Sequence, residues 1–243
     1  MIITILFIFI ILQGHFYNKL KEAAKLKGIL KHKNSVLLIT AHPDDETMFF
    51  TPTIRLMTEL SMQVTLLCLS HGIGLNRQEE LKEACKALGI EECICLDEPE
   101  LQDGFDQDWS PEVVSEAVGR TLQKYEFDFV LTFDNYGVSG HPNHKAVHLG
   151  ARLALASRAS DIGLLELESV WLCKKYLGVF SCFFDFLYFE RGDTLHVATS
   201  PYDAYWKTQR AMEKHASQLV WFRRLYLVFS RYIYINSLKM VSK

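Results

Sequence analysis

The sequence predicts a Rossmann-like three-layer α/β fold with a mostly parallel sheet, preceded by an N-terminal apolar anchor helix. Three observations lead there. Short, continuous apolar runs alternate with amphipathic segments, as in a parallel sheet covered on both faces. Two clusters of His and Asp each follow one of those runs, where such sheets open their ligand crevice. The first twelve residues are almost purely apolar, and a series of lysines follows them.

The apolar start runs from Met1 to Leu12 and is extended by Phe16 and Tyr17. A full membrane span needs about 20 residues, with a lower range near 17. A cleaved secretory signal would need a basic start and a small-residue cleavage site, and the sequence has neither. Lys19, Lys21, Lys25, Lys27, Lys31 and Lys33 follow instead. By the positive-inside rule they place the remainder in the cytosol. The expected organisation is an anchor over 1–17, a basic juxtamembrane segment over 18–34 and one catalytic domain over 35–243. The competing reading is a buried or interfacial helix of a soluble protein.

Along the domain, Ser35 to Thr40 is a short apolar run that ends at a His/Asp cluster, the pattern of a buried parallel strand. Phe49 to Leu60 is helix-like, with Pro52 near its start. Gln63 to Ser70 predicts a second strand. Asn76 to Leu88 predicts a helix with Leu81, Ala84, Cys85 and Leu88 on one face and Gly89 as its stop. Glu92 to Leu96 predicts a third strand. Ser110-Pro111 opens a helix through about Lys124, with proline at the first helical position. Phe127 to Phe133 predicts a fourth strand, and His144 to Leu155 a helix.

Composition narrows the function. The net charge is −3 with both signs interspersed, so the chain has no nucleic-acid signature. Its six cysteines mostly lie inside apolar runs, which favours free thiols in a reducing compartment over a disulfide framework.

The two clusters carry the chemistry. The first is Ala41-His42-Pro43-Asp44-Asp45-Glu46, the second His141-Pro142-Asn143-His144. His42 and Asp45 are three apart in a strand-to-helix turn, so an imidazole and a carboxylate can converge on one ion. Adjacent Asp44 and Asp45 repel unless a cation lies beside them. His144 supplies a third ligand from the second cluster. Two His and one carboxylate with an open position is a catalytic rather than a structural metal site. Metal-bound water becomes a usable nucleophile near pH 7. That leaves Asp44 as general base and His141 as acid or oxyanion partner. Either cluster alone has a bland explanation, a loop histidine pair or an acidic helix start. Asp134, at the end of the fourth strand, either orients His141 or forms a turn with Asn135.

These residues resemble the PIG-L/LmbE-like de-N-acetylases. Ala41 to Glu46 is similar to the family's first motif, and Gly137-Val138-Ser139-Gly140-His141-Pro142-Asn143-His144 to its second. Arg77-Gln78-Glu79-Glu80-Leu81 resembles its Arg-x-x-Glu-Leu helix. His215-Ala216-Ser217-Gln218 and Trp221 to Tyr226 resemble the PIG-L branch. The resemblance implies zinc, or another divalent metal, on His42, Asp45 and His144, with Asp44 and His141 catalytic. It also implies substrate contacts from Arg77, His215 and Gln218. The implied reaction removes the acetyl group of a glycolipid, N-acetylglucosaminyl-phosphatidylinositol, at the cytosolic face of the endoplasmic reticulum, a step of GPI-anchor biosynthesis. Two other readings stay open: a soluble LmbE-type enzyme for a small glycoside, and a non-catalytic zinc- and sugar-binding subunit. Asn143 stands where many small-thiol members carry Asp, and it can orient a histidine only as a neutral hydrogen-bond partner.

Two late segments are rich in aromatics, Val179 to Phe189 and Leu219 to Leu238. Core packing explains such runs, and so does a membrane interface with aromatics at headgroup level and arginines on lipid phosphates.

Overall fold

Val36 to Thr40 are all buried, and a strand hidden on both faces belongs in the middle of a sheet. In the computed structural model this strand is β1 (Ser35–Thr40), paired in parallel with β2 (Gln63–Cys68) on one side and β4 (Phe129–Phe133) on the other. The structure describes residues 35–158, 161–181 and 194–241. The expected anchor and juxtamembrane segment (1–34) and the aromatic run from Phe183 to Phe189 lie outside the described residues. Among the described residues no helix is long and apolar enough to cross a membrane.

β3 (Glu92–Cys95) adds to β2, and β5 (Gly163–Leu167) adds to β4, both in parallel. β7 (Ile235–Val241) runs antiparallel to β5, and β6 (Thr194–Ala198) antiparallel to β7. The order is β3-β2-β1-β4-β5-β7-β6. From β1 the chain first builds towards β3, then returns to β4 and builds the other way. The crevice between β1 and β4 is therefore the topological switch point, where open α/β sheets bind ligands. The mostly parallel sheet meets the expectation; the antiparallel margin of β6 and β7 is an addition to it.

Helices cover the sheet: α1 (Asp45–Phe49), α2 (Thr51–Glu59), α3 (Arg77–Leu88), α4 (Pro111–Lys124), α5 (Pro142–Ala156), α6 (Pro201–Lys214) and α7 (Trp221–Phe229). The expected helix from Phe49 is two helices, and the first starts earlier, at Asp45. Phe50 breaks them, two residues before Pro52, which has no N–H for the ladder. α3 buries Leu81, Ala84, Cys85 and Leu88, the expected face, and Gly89 closes it at φ 80°. Ser110 caps α4 by accepting the Glu112 N–H at 3.2 Å.

α4 and α5 lie very close because Gly150 has no side chain. A Cβ there would sit 2.3 Å from Cγ1 of Val114. The main core spans β1, β2, β4 and these helices, and a smaller cluster of Met212, Leu227, Ile233 and Tyr234 joins α6, α7 and the start of the last strand. Cys68, Cys85, Cys93, Cys95 and Cys173 are free thiols.

Candidate metal centre and active site

β1 delivers the first cluster and β4 the second, on the two sides of the switch point. The turn after β1 is unusual at Asp44, whose φ of 114° lies in the left-handed region. Such a backbone is uncommon for a residue with a side chain, though Asp tolerates it better than most. A hydrogen bond from the Asp44 N–H to Oε2 of Glu46, 3.0 Å, supports it.

Asp45 opens α1 and turns its carboxylate back over the turn. Oδ2 accepts the N–H of Ala41 at 3.0 Å and of His42 at 2.8 Å. Oδ1 is left facing Nε2 of His144, 3.3 Å away. His144 lies with Nδ1 3.0 Å from the carbonyl of Gly137 and with its ring stacked on Phe133, centroids 4.1 Å apart. A ring that donates from Nδ1 keeps its Nε2 lone pair for a metal.

His42, Asp45 and His144 each offer one ligand atom, all within 4.8 Å of one another, and all three residues are buried. Nε2 of both histidines is buried without a hydrogen-bond partner. Orphaned buried nitrogens are costly, and two such imidazoles grouped with a buried carboxylate fit a divalent cation.

The electrostatics agree. Burial lowers the pKa of His42, which keeps the ring neutral as a ligand must be. Burial alone would raise Asp45, but the His144 and His42 imidazoles outweigh it and hold the carboxyl below the usual range. Burial works against charge on His144 too, and the Asp45 carboxylate overcomes it, so its pKa is raised. A field that favours positive charge at that nitrogen also favours a metal ion there.

Asp44 is not one of this ligand group, and its carboxylate faces two arginines. Burial raises its pKa, Arg223 lowers it, Asp45 raises it and Arg77 lowers it, and the balance pushes it up to about 7. Nη1 of Arg223 lies 2.7 Å from Oδ2 of Asp44, and Nη2 of Arg77 lies 3.5 Å from it. Neither contact has hydrogen-bond geometry, so both act as ion pairs. His141 is half-buried, and burial, with His144 and His42 close by, lowers it to about 4. Its Nδ1 accepts the N–H of Asn143 at 3.3 Å, so the neutral ring carries its proton on Nε2.

The structure thus brings His42, Asp44, Asp45, His141 and His144 together. It places the remaining expected residues differently. Arg77 is buried in the wall, where Nη1 donates to Asp103 at 2.9 Å and Nη2 to the carbonyl of Pro43. Gly72 makes room for it, since a Cβ there would sit 2.4 Å from Nη1. His215 is fully buried, with Nε2 2.7 Å from Oε1 of Glu46. Gln218 holds Arg223, accepting from Nη1 at its side-chain oxygen (2.7 Å).

Asp134 takes the turn role and not the orienting one. Its carboxylate binds the N–H and Oγ of Ser169, each at 2.6 Å, and the amides of Tyr136 and Gly137. The Asn143 side chain donates to the carbonyl of Gln107 at 3.1 Å. Residue 143 meets His141 through its backbone N–H, and its side chain turns to Gln107 instead.

Asp103, Phe105, Trp109 and Arg223 line the site without having been singled out as site residues. Asp103 Oδ1 lies 3.3 Å from Nε2 of His42, and the Trp109 ring is 5.8 Å from that of His42. The Phe105 ring packs on His141 at 4.4 Å. Only the acidic loop from Asp97 to Asp108 hinted at the first three.

A cavity of about 440 Å³ adjoins this centre, lined by Met48, Phe49, Ser139, Lys175, Tyr176, Phe222, Arg223, Leu225, Tyr226 and Phe229. A larger one, about 680 Å³, is lined by α4, α5, β5 and the end of β7, including Leu149, Leu153, Ile162 and Val241. It contains none of the site residues.

Comparison with known proteins places these features. Residues 37–155 match the family model PIG-L: GlcNAc-PI de-N-acetylase. The chain is 41% identical over 216 residues to the N-acetylglucosaminyl-phosphatidylinositol de-N-acetylase of Bos taurus, covering 84% of this chain and 83% of that protein. In fold it resembles the N,N'-diacetylchitobiose deacetylase from Pyrococcus horikoshii (TM-score 0.60, 17% identity, 94% and 92% of the two chains covered). It also resembles the zinc-inhibited form of teicoplanin deacetylase Orf2 (TM-score 0.58, 12% identity, 86% and 100% covered).

Proposed function

Since the chain belongs to the PIG-L family of GlcNAc-PI de-N-acetylases, hydrolases of an N-acetyl amide bond, we propose that its own substrate is N-acetylglucosaminyl-phosphatidylinositol. The products would be acetate and glucosaminyl-phosphatidylinositol, in a step of GPI-anchor biosynthesis. The observation that carries the reading is the convergence of His42, Asp45 and His144 at the switch point, with Asp44 and His141 beside them. Two histidines and one carboxylate with an open position suit zinc, which is the first metal to test.

A divalent metal on His42, Asp45 and His144 would polarise the amide carbonyl and acidify a water molecule. Asp44 receives the proton of the attacking water, and a carboxylate poised near neutral pH suits a general base. Arg223 and Arg77 partly offset burial and the charge of Asp45, which together raise the pKa of Asp44. His141 donates from Nε2 to the oxyanion that develops on the carbonyl oxygen. As a neutral donor it fits that part better than that of a strong acid, because burial holds its pKa at about 4. Asp44 then returns its proton to the departing amine. Phe105 and Trp109 limit access of bulk water at one side of the pair His42 and His141.

The reaction is assigned to a membrane surface, at the cytosolic face of the endoplasmic reticulum. The lysines from Lys19 to Lys33, behind the apolar start, support that side. On α7, Trp221, Phe222, Leu225, Val228 and Phe229 form one exposed apolar stripe next to Arg224, a surface suited to lipid headgroups.

The test is release of acetate from N-acetylglucosaminyl-phosphatidylinositol by the purified chain, with metal content measured in parallel. Activity should vanish with a chelator and return with zinc or another divalent ion. A folded, metal-replete protein that releases no acetate from this substrate would overturn the reading.

A further inference from the structure

Lys175 is a buried cation without a carboxylate partner among the described residues. It is 6% exposed, and among the described residues its ammonium makes one hydrogen bond, to the carbonyl of Val138 at 3.4 Å. No carboxylate among the described residues lies within ion-pair distance of it. Burial pulls its pKa below the ordinary lysine range. A fold gains nothing by keeping such a group, because a buried ammonium is costly unless it is paired. Its other contact is the Tyr176 ring, with Nζ 5.8 Å from the centroid, which leaves the charge without an anionic partner among the described residues and points to a ligand.

The place is informative. Lys175 lines the cavity of about 440 Å³ beside the metal ligands, with Ser139, Arg223 and the tyrosines Tyr176 and Tyr226 also in the wall. The cavity touches the reactive centre at two points. The Phe49 ring packs edge-on against His144, centroids 5.8 Å apart, and Arg223 is paired with Asp44. The remaining wall is apolar and aromatic, and Tyr176, Phe222 and Phe229 are exposed at its rim. An anionic group flanked by an apolar body matches these walls.

We propose that this cavity is the phosphodiester subsite, in which Lys175 reads the phosphate of the lipid-linked inositol while the sugar amide lies at the metal ligands. The assignment rests on the substrate reading given above. It makes Lys175 a specificity residue: it separates a phosphoinositide from a neutral glycoside carrying the same sugar.

The experiment compares two substrates on the metal-loaded enzyme. One is short-chain N-acetylglucosaminyl-phosphatidylinositol, the other N-acetylglucosaminyl-inositol without phosphate. The ratio of their kcat/KM values should fall at least tenfold in Lys175→Met, and Lys175→Arg should keep part of it. A ratio unchanged in Lys175→Met would overturn the proposal. A second arm needs no turnover. Glycerophosphoinositol binding, followed by calorimetry, should weaken about tenfold in Lys175→Met, while free inositol should bind neither protein measurably. Inorganic phosphate bound as tightly as glycerophosphoinositol would overturn the headgroup assignment, as would wild-type binding that Lys175→Met does not weaken. If the wild type cleaves neither glycoside, the substrate reading fails, and the binding arm still decides the role of Lys175. Thermal unfolding of Lys175→Met, expected at or above the wild-type Tm, verifies that the variant is folded.

Discussion

Arg223 reaches from α7 to place Nη1 2.7 Å from Oδ2 of Asp44, and Gln218 holds that same nitrogen at 2.7 Å. The base is thus tuned by a helix that is far from it in sequence and that carries an exposed apolar stripe. Arg223 lowers the pKa of Asp44. Its loss should therefore move the acid limb of the kcat/KM profile to higher pH, because Asp44 must be ionised to accept a proton. Arg223→Gln is expected to lower kcat roughly tenfold to a hundredfold at neutral pH, within the range of a general base's contribution. An acid limb that stays in place would refute the coupling.

Asp44→Asn should abolish turnover, a loss of roughly 10²-fold to 10⁴-fold, while metal content stays at the wild-type level. His141→Ala should cost about 10²-fold to 10³-fold in kcat, the usual range for one oxyanion donor. Elemental analysis of the purified variants separates both cases from ligand loss; metal missing from Asp44→Asn would contradict its assignment as base.

His144→Ala and Asp45→Ala should lose the metal and the activity together. Asp45→Ala should also unfold more easily, since Oδ2 satisfies two buried backbone amides at the end of β1. Leaving them unpaired costs about 1–3 kcal/mol each. Denaturant titration of the metal-free proteins measures this directly: Asp45→Ala should fall below His144→Ala.

His215 and Glu46 form a fully buried pair behind the site. Burial opposes charge on His215, but Glu46 prevails and raises its pKa. A raised histidine contributes stability that is complete below the unfolded value, about 6.5. That contribution is lost as pH rises through the folded value. The stability gap between the wild type and His215→Gln should therefore narrow as the pH is raised above neutral. A gap that widens with pH would show that the pair is not held by charge.

Much of this site was legible because its chemistry is local. Ser35 to Thr40 had to be a buried strand, and the clusters after β1 and β4 mark their own positions. The left-handed backbone at Asp44 leaves no trace in composition, so the start of α1 was set too late. Partners joined by tertiary approach were equally invisible. His215 stands in a polar segment, and only the fold sets Glu46 against it. Arg223 looks like one more interfacial arginine until α7 folds back on Asp44. β7 was missed because Asn236, Ser237 and Lys239 interrupt its apolar pattern. The structure explains the first of these: the Asn236 side chain accepts from Thr53 Oγ1 at 2.7 Å and donates to the carbonyl of Phe49 at 2.8 Å, tying the strand to α1 and α2.

Two metal ligands hang from the end of β1 and the third from the connection after β4, so no contiguous stretch of chain owns the whole set. The ion would be gripped only while those two strands stay zipped together along Val36–Phe129, Leu37–Val130 and Leu38–Leu131. Retention of metal then works as a strain gauge on the middle of the sheet. Partial unzipping between β1 and β4 would shed the ion while the flanking strand pairs and helices still persist, and a chelator would trap that opening before any spectroscopic sign of unfolding.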